Sequence, residues 1–173
     1  LYLGPLGGLA AGALQAAREG LERFERRHGV GRHIDELRNS HVALPWLHSL
    51  ACDRALVGAA AAALASETVL LYSSRIVLSP GPGEMHPGPP EQDGRDLSSA
   101  VGPSDDLVTA FVALAPCKRG EGCLEFIVDY DSARNYFPPG LPMDLKAGEF
   151  CLHSPKAVHR TGANFSGQRR RGV

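Results

Sequence analysis

What this 173-residue chain has little of narrows its function first. No apolar run approaches the roughly 18 residues that a membrane-spanning helix needs. The apolar start, Leu1 to Leu14, also lacks the basic residues that open a signal peptide. No excess of charge exists either: 18 Lys and Arg stand against 19 Asp and Glu, with a pI near 6.7. Such a balance produces no field that draws in nucleic acid or an anionic membrane, so the expected partner is a small molecule. The four cysteines, Cys52, Cys117, Cys123 and Cys151, form no CxxC and no zinc-type pair. They are expected as reduced thiols of a cytoplasmic protein, the alternative being a Cys117 to Cys123 disulfide across a Gly-rich loop. The chain starts without Met and stops at Val173 inside a strand-like segment, as a piece of a longer protein would.

What is present divides in two. Its length suits one domain, with a helical part over 1–66 and a β part over 67–173. Leu9, Ala13, Leu14, Ala17, Leu21 and Phe24 recur at helical spacing up to His28, and Gly29 is a stop signal. Asp53 to Ala65 predicts a second helix, whose alanine run suits close packing against a sheet. Beyond Ser66, Thr68 to Leu78, Leu107 to Ala115 and Cys123 to Val128 are rich in branched residues, and Phe150 to His153 and the segment around Val158 are shorter strand candidates. Helices followed by many short strands predict a mainly β fold of the jelly-roll or cupin kind. Loops Pro80 to Pro90 and Asp129 to Pro142, rich in proline, are where such a scaffold carries a site.

A non-haem iron site needs two histidines and a carboxylate on one face of the metal, leaving positions for a keto acid and oxygen. His159 is followed by Thr161, Asn164 and Ser166, then by Arg170 eleven residues after it, and Ala147-Gly148-Glu149 precede it. This pattern resembles the phytanoyl-CoA dioxygenase family of Fe(II)- and 2-oxoglutarate-dependent oxygenases. LVTAFVAL at Leu107 to Leu114, followed by Gly122-Cys123-Leu124, resembles the family's central strand pair, and Pro45-Trp46-Leu47-His48 with Asp53 to Leu56 resembles its bacterial biosynthetic members. The resemblance spans roughly residues 41 to 172. It implies a double-stranded β-helix, Fe(II) and 2-oxoglutarate as cofactors, His159 as metal ligand and Arg170 as anchor of the keto acid. Thr161, Gln92 and Phe111 would then line the co-substrate, and His153 would be structural or stand behind a ligand. An Arg fork matches a carboxylate with two parallel donors, which Lys does not.

The family's first ligand pair is commonly Trp-His-Gln-Asp-Gly, where this chain has Pro90-Glu91-Gln92-Asp93-Gly94. Ser79-Pro80-Gly81 replaces a Lys-x-Pro-Gly, and Asp129-Tyr130-Asp131-Ser132 replaces a Pro-Gly-Ser-His. Glu91, Asp93 and His159 would make a two-carboxylate, one-histidine metal site, whose oxygen-rich character moves the preference from Fe toward Mg, Ca or Mn. Without a metal, Glu91 and Asp93 as close like charges would raise one pKa and provide an acid and a base for an isomerase or cyclase. A binding protein keeping only the fold is the third reading. Tyr130, Tyr136, Phe137, Leu141 and Met143 suit a hydrophobic small metabolite, and the relatives imply biosynthesis.

Overall fold

A computed structural model describes residues 2–29, 38–78, 83, 85–93, 106–128, 130 and 138–173. Ser79 to Gly81, Gly94, and 129 and 131–137 of the second loop, with Tyr136 and Phe137, lie outside the described residues.

The first helix, α1 (Ala11–His28), buries Ala17, Gly20, Leu21 and Glu25. Its last turn carries Arg26, Arg27 and His28, which suit the negative end of the helix dipole, and Gly29 ends it at φ 78°. The helix α2 (Pro45–Ala51) begins with Pro at its first turn, where the missing N–H costs nothing. Trp46 lies so close over Gly20 that a Cβ there would run into the indole. The helix α3 (Arg54–Ala63) starts at Asp53, whose carboxylate accepts from the Ala55 N–H at 2.9 Å. Leu56 is its one buried residue, and Ala59 only touches the core. Helix propensity, not close packing, accounts for the alanine run. No helix among the described residues is long and apolar enough to cross a membrane.

The strands are β1 (Tyr2–Leu6), β2 (Thr109–Val112), β3 (Leu124–Phe126), β4 (Leu141–Met143), β5 (Phe150–His153) and β6 (His159–Thr161). They form two three-stranded antiparallel sheets, ordered β1-β5-β2 and β4-β3-β6, rather than one closed barrel among the described residues. Three expectations change. The first residues are a strand paired to β5, so the N-terminal part is not purely helical. β4 arises in the segment expected as a loop. Among the described residues Thr68 to Leu78 pairs as no regular strand: Arg75 and Val77 make isolated bridges, and Leu70, Leu71 and Tyr72 are exposed. A branched run realises its β preference only when a partner strand and a packed face exist.

Strand alternation separates two cores. Val112, Leu114, Phe150 and Leu152 pack outward with Leu21, Leu47, Leu50 and Ile76 beneath the helices. Phe111, Ala113 and Cys151 point the other way and meet Leu124, Phe126 and Met143 of the second sheet. All four cysteines are free thiols, and Cys117, Cys123 and Cys151 are buried.

Candidate functional site

The alternation that sends Cys151 into the space between the sheets sends His153, two residues on, to the same side. His153 pairs with Thr109 across β2 and is 3 % exposed. Six residues later the chain enters β6 with His159, 4 % exposed and opposite Phe126 of β3. One connection thus delivers two buried imidazoles, with ring centroids 4.9 Å apart. The third element runs antiparallel to β6: Glu91 and His159 exchange both backbone hydrogen bonds (2.7 and 3.0 Å), and the Gly88 N–H donates to the Thr161 carbonyl. That pairing brings Asp93 to the histidines.

Asp93 Oδ2 lies 3.0 Å from His153 Nε2, and Oδ1 lies 3.8 Å from His159 Nε2. Asp93, His153 and His159 each offer a ligand atom, all within 4.8 Å of one another. Nδ1 of His159 donates to the Ala157 carbonyl at 3.0 Å, so Nε2 is the ring atom turned to the carboxylate. Burial alone would raise the Asp93 pKa. The hydrogen bond from His153, the charges of His159 and His153 and the hydrogen bond from Thr109 together outweigh it, so the carboxyl sits below its ordinary value. Two imidazoles and an ionised carboxylate are a donor set that fits Fe(II).

Glu91 sits beside this cluster, with Oε1 3.7 Å from His159 Nε2, but its side chain is 51 % exposed. Gln92 turns away, its amide donating to the Lys156 carbonyl at 2.7 Å. His86 is exposed.

Arg170 is 4 % exposed. Its Nη1 donates to the Gly122 carbonyl (3.0 Å) and to Thr161 Oγ1 (3.2 Å), and its guanidinium stacks over the Phe111 ring at 4.8 Å. Thr161 lies two residues after His159 on β6, so both side chains share a face. The fully buried Asn164 donates to the Gln168 carbonyl, and its Oδ1 accepts from the Ser166 N–H and hydroxyl. The Asn-x-Ser motif therefore builds the turn that returns the chain to Arg170. Next to it, Arg171 points oppositely and pairs with the buried Glu25 of α1 at 3.0 Å.

Of the residues singled out in the sequence, the structure brings together Asp93, His159 and Glu91 at one place, and Arg170, Thr161 and Phe111 at another. His153 and Thr109 were missed as members of the metal-side group. The available signal was a buried strand ending in histidine, in phase with Cys151.

The fold is shared with solved structures. The non-haem monooxygenase ThoJ in its nickel complex matches with a TM-score of 0.81 at 17 % identity, covering 99 % of this chain and 70 % of that one. SnoK, a non-haem alpha-ketoglutarate-dependent carbocyclase from nogalamycin biosynthesis, gives 0.73 at 20 % identity over 95 % of this chain and 74 % of its own. CytC3 with Fe(II) and alpha-ketoglutarate gives 0.65 at 18 %, over 99 % and 70 %. No curated protein matches the sequence. The sequence does match the profile of the phytanoyl-CoA dioxygenase family over residues 2–172, nearly its whole length, and the chain belongs to that family.

Proposed function

We propose that this chain is a 2-oxoglutarate-dependent oxygenase acting on a small hydrophobic metabolite, built on a jelly-roll scaffold of which the two antiparallel sheets are the facing halves. The carrying observation is the buried cluster of Asp93, His153 and His159 within 4.8 Å, in a member of the phytanoyl-CoA dioxygenase family. Asp93 and His159 would hold the iron, and Arg170 would take the far carboxylate of 2-oxoglutarate. When bound, the iron and the keto acid supply the oxidising chemistry, in which oxygen is consumed as 2-oxoglutarate is decarboxylated to succinate and the substrate is oxidised.

The chain's own residues prepare the site. Thr109 and His153 keep Asp93 ionised. The Ala157 carbonyl fixes the His159 tautomer with Nε2 as the donor atom. Gly122, Thr161 and Phe111 hold the Arg170 fork in a buried orientation, which reduces the ordering cost of engaging a carboxylate. The apolar lining at Phe111, Phe126 and Met143 keeps the inter-sheet space poor in water.

The non-oxidative alternative requires a carboxyl that retains its proton as an acid. Asp93 is shifted the opposite way, which favours the metal-binding reading. The test is anaerobic titration of the apo-protein with Fe(II) and 2-oxoglutarate. A weak visible charge-transfer band of the iron–keto acid chelate is expected, and no band at saturating concentrations contradicts the reading.

A further inference from the structure

We propose that His153 supplies the second histidine of the metal site, so that the ion is held by Asp93, His153 and His159 and Glu91 stays outside its coordination sphere. This rests on the metal-dependent reading above and concerns which side chains satisfy it.

The family's His-x-Asp pair is broken in this chain at Glu91. Three observations point to His153 as the replacement. The first is distance. Donors about 2.1 Å from a metal and at right angles around it stand about 3.0 Å from one another. His153 Nε2 is 3.0 Å from Asp93 Oδ2, and the ligand atoms of the three residues all lie within 4.8 Å of one another. Glu91 approaches His159 at 3.7 Å but is not one of that group.

The second is burial. The His153 side chain is 3 % exposed and that of Glu91 51 %. A half-solvated glutamate is free to stay in water, whereas His153 is locked on β5 with Phe126 at its edge, ring centroids 5.3 Å apart.

The third concerns the ring itself. Nδ1 of His153 is buried and has no hydrogen-bond partner among the described residues. A purely structural buried histidine would be expected to satisfy both nitrogens. Here the described polar contact of the ring is the one made to Asp93.

The chemical consequence is a two-histidine, one-carboxylate set. That restores the second nitrogen ligand and avoids the extra negative charge of a Glu91, Asp93 and His159 site, which returns the preference to Fe(II).

The test uses the apo-protein and Co(II) under anaerobic conditions, read by visible d–d absorption and calorimetry. His153→Gln keeps an amide donor for Asp93 but offers a poor ligand. It is expected to weaken Co(II) binding by at least roughly 100-fold, beyond what losing an outer partner usually costs, and to alter the d–d spectrum. Glu91→Gln is expected to change the affinity less than about threefold. The wild-type Co(II) form needs no variant: its proton NMR spectrum should contain two hyperfine-shifted exchangeable imidazole resonances. One such resonance, or strong loss of affinity in Glu91→Gln with His153→Gln still within about tenfold, overturns the assignment while leaving the metal-dependent reading intact. Failure of the wild-type chain to bind Co(II) at all overturns both.

Discussion

His153 and Asp93 come from segments 60 positions apart, yet Nε2 of one stands 3.0 Å from Oδ2 of the other. The contact exists because Glu91 pairs with β6 on one side while β5 pairs with β2 on the other, so the carboxylate closes the gap between the two sheets. Thr109, opposite His153 on β2, also hydrogen-bonds Asp93.

Thr109→Val tests that support. The substitution keeps the shape and removes the hydroxyl, so Asp93 loses a partner without becoming unpaired. Metal affinity is expected to fall by roughly 10-fold, the lower end for an outer partner of a ligand. Calorimetric titration with Co(II) checks it, and an unchanged affinity would remove Thr109 from the site.

Asn164→Ala tests the turn before Arg170. Its amide serves the Gln168 carbonyl and both donors of Ser166 while wholly buried. Truncation leaves the Ser166 N–H without its partner, while the Ser166 hydroxyl and the Gln168 carbonyl keep each other at 3.1 Å, and is expected to cost about 1–3 kcal/mol. Urea unfolding would register this as a lower midpoint with unchanged slope.

Gly20→Ala separates local preference from packing. Helix propensity alone predicts a gain of roughly 1 kcal/mol. The added methyl, however, meets the body of the Trp46 indole and not the end of a flexible side chain. Overpacking of this kind costs about 1–3 kcal/mol, so the melting temperature is expected to fall. A rise would place Trp46 elsewhere.

The helices α1 and α3 follow from local signals, the first from helical spacing with Gly29 as its stop and the second from the propensity of its alanine run. β5 was recognisable from its branched and aromatic residues, as were β2 and β3. The strand expected at Thr68 to Leu78 failed because pairing is decided by partners distant in sequence, and among the described residues those it has amount to single bridges. β1 was overlooked for the same reason: its partner β5 lies at the other end of the chain. At the site, Asp93, His159 and Arg170 were found through the family pattern. His153 and Thr109 lie outside that pattern, and only the face they share across β2 and β5 joins them to it.

The buried thiols give a pH dependence. Burial pushes Cys123 and Cys151 from the ordinary 9.0 to about 12, and moves Cys117 in the same direction. In the folded chain these groups keep their protons at pH values where the unfolded chain loses them. Unfolding therefore releases protons, and stability is expected to decline as pH rises above about 8.5 and to keep declining toward about 12. At pH 8 a thiol reagent should modify exposed Cys52 rapidly and the other three only on denaturation, since about one molecule in 10⁴ would carry either thiolate with a pKa near 12. Mass spectrometry of the alkylated protein counts the modified sites, and rapid labelling of Cys123 or Cys151 in the folded state would contradict their burial.

The most direct measurement is calorimetric titration of 2-oxoglutarate into Co(II)-loaded and metal-free protein, for the wild type and for Arg170→Ala. Binding should occur only with the metal present and should weaken by about 100-fold or more in the variant, the scale of about 3 kcal/mol for a buried charge-assisted pair. Equal binding with and without metal, or an Arg170→Ala variant that binds 2-oxoglutarate as the wild type does, would contradict the assignment of this site to a keto acid and an iron.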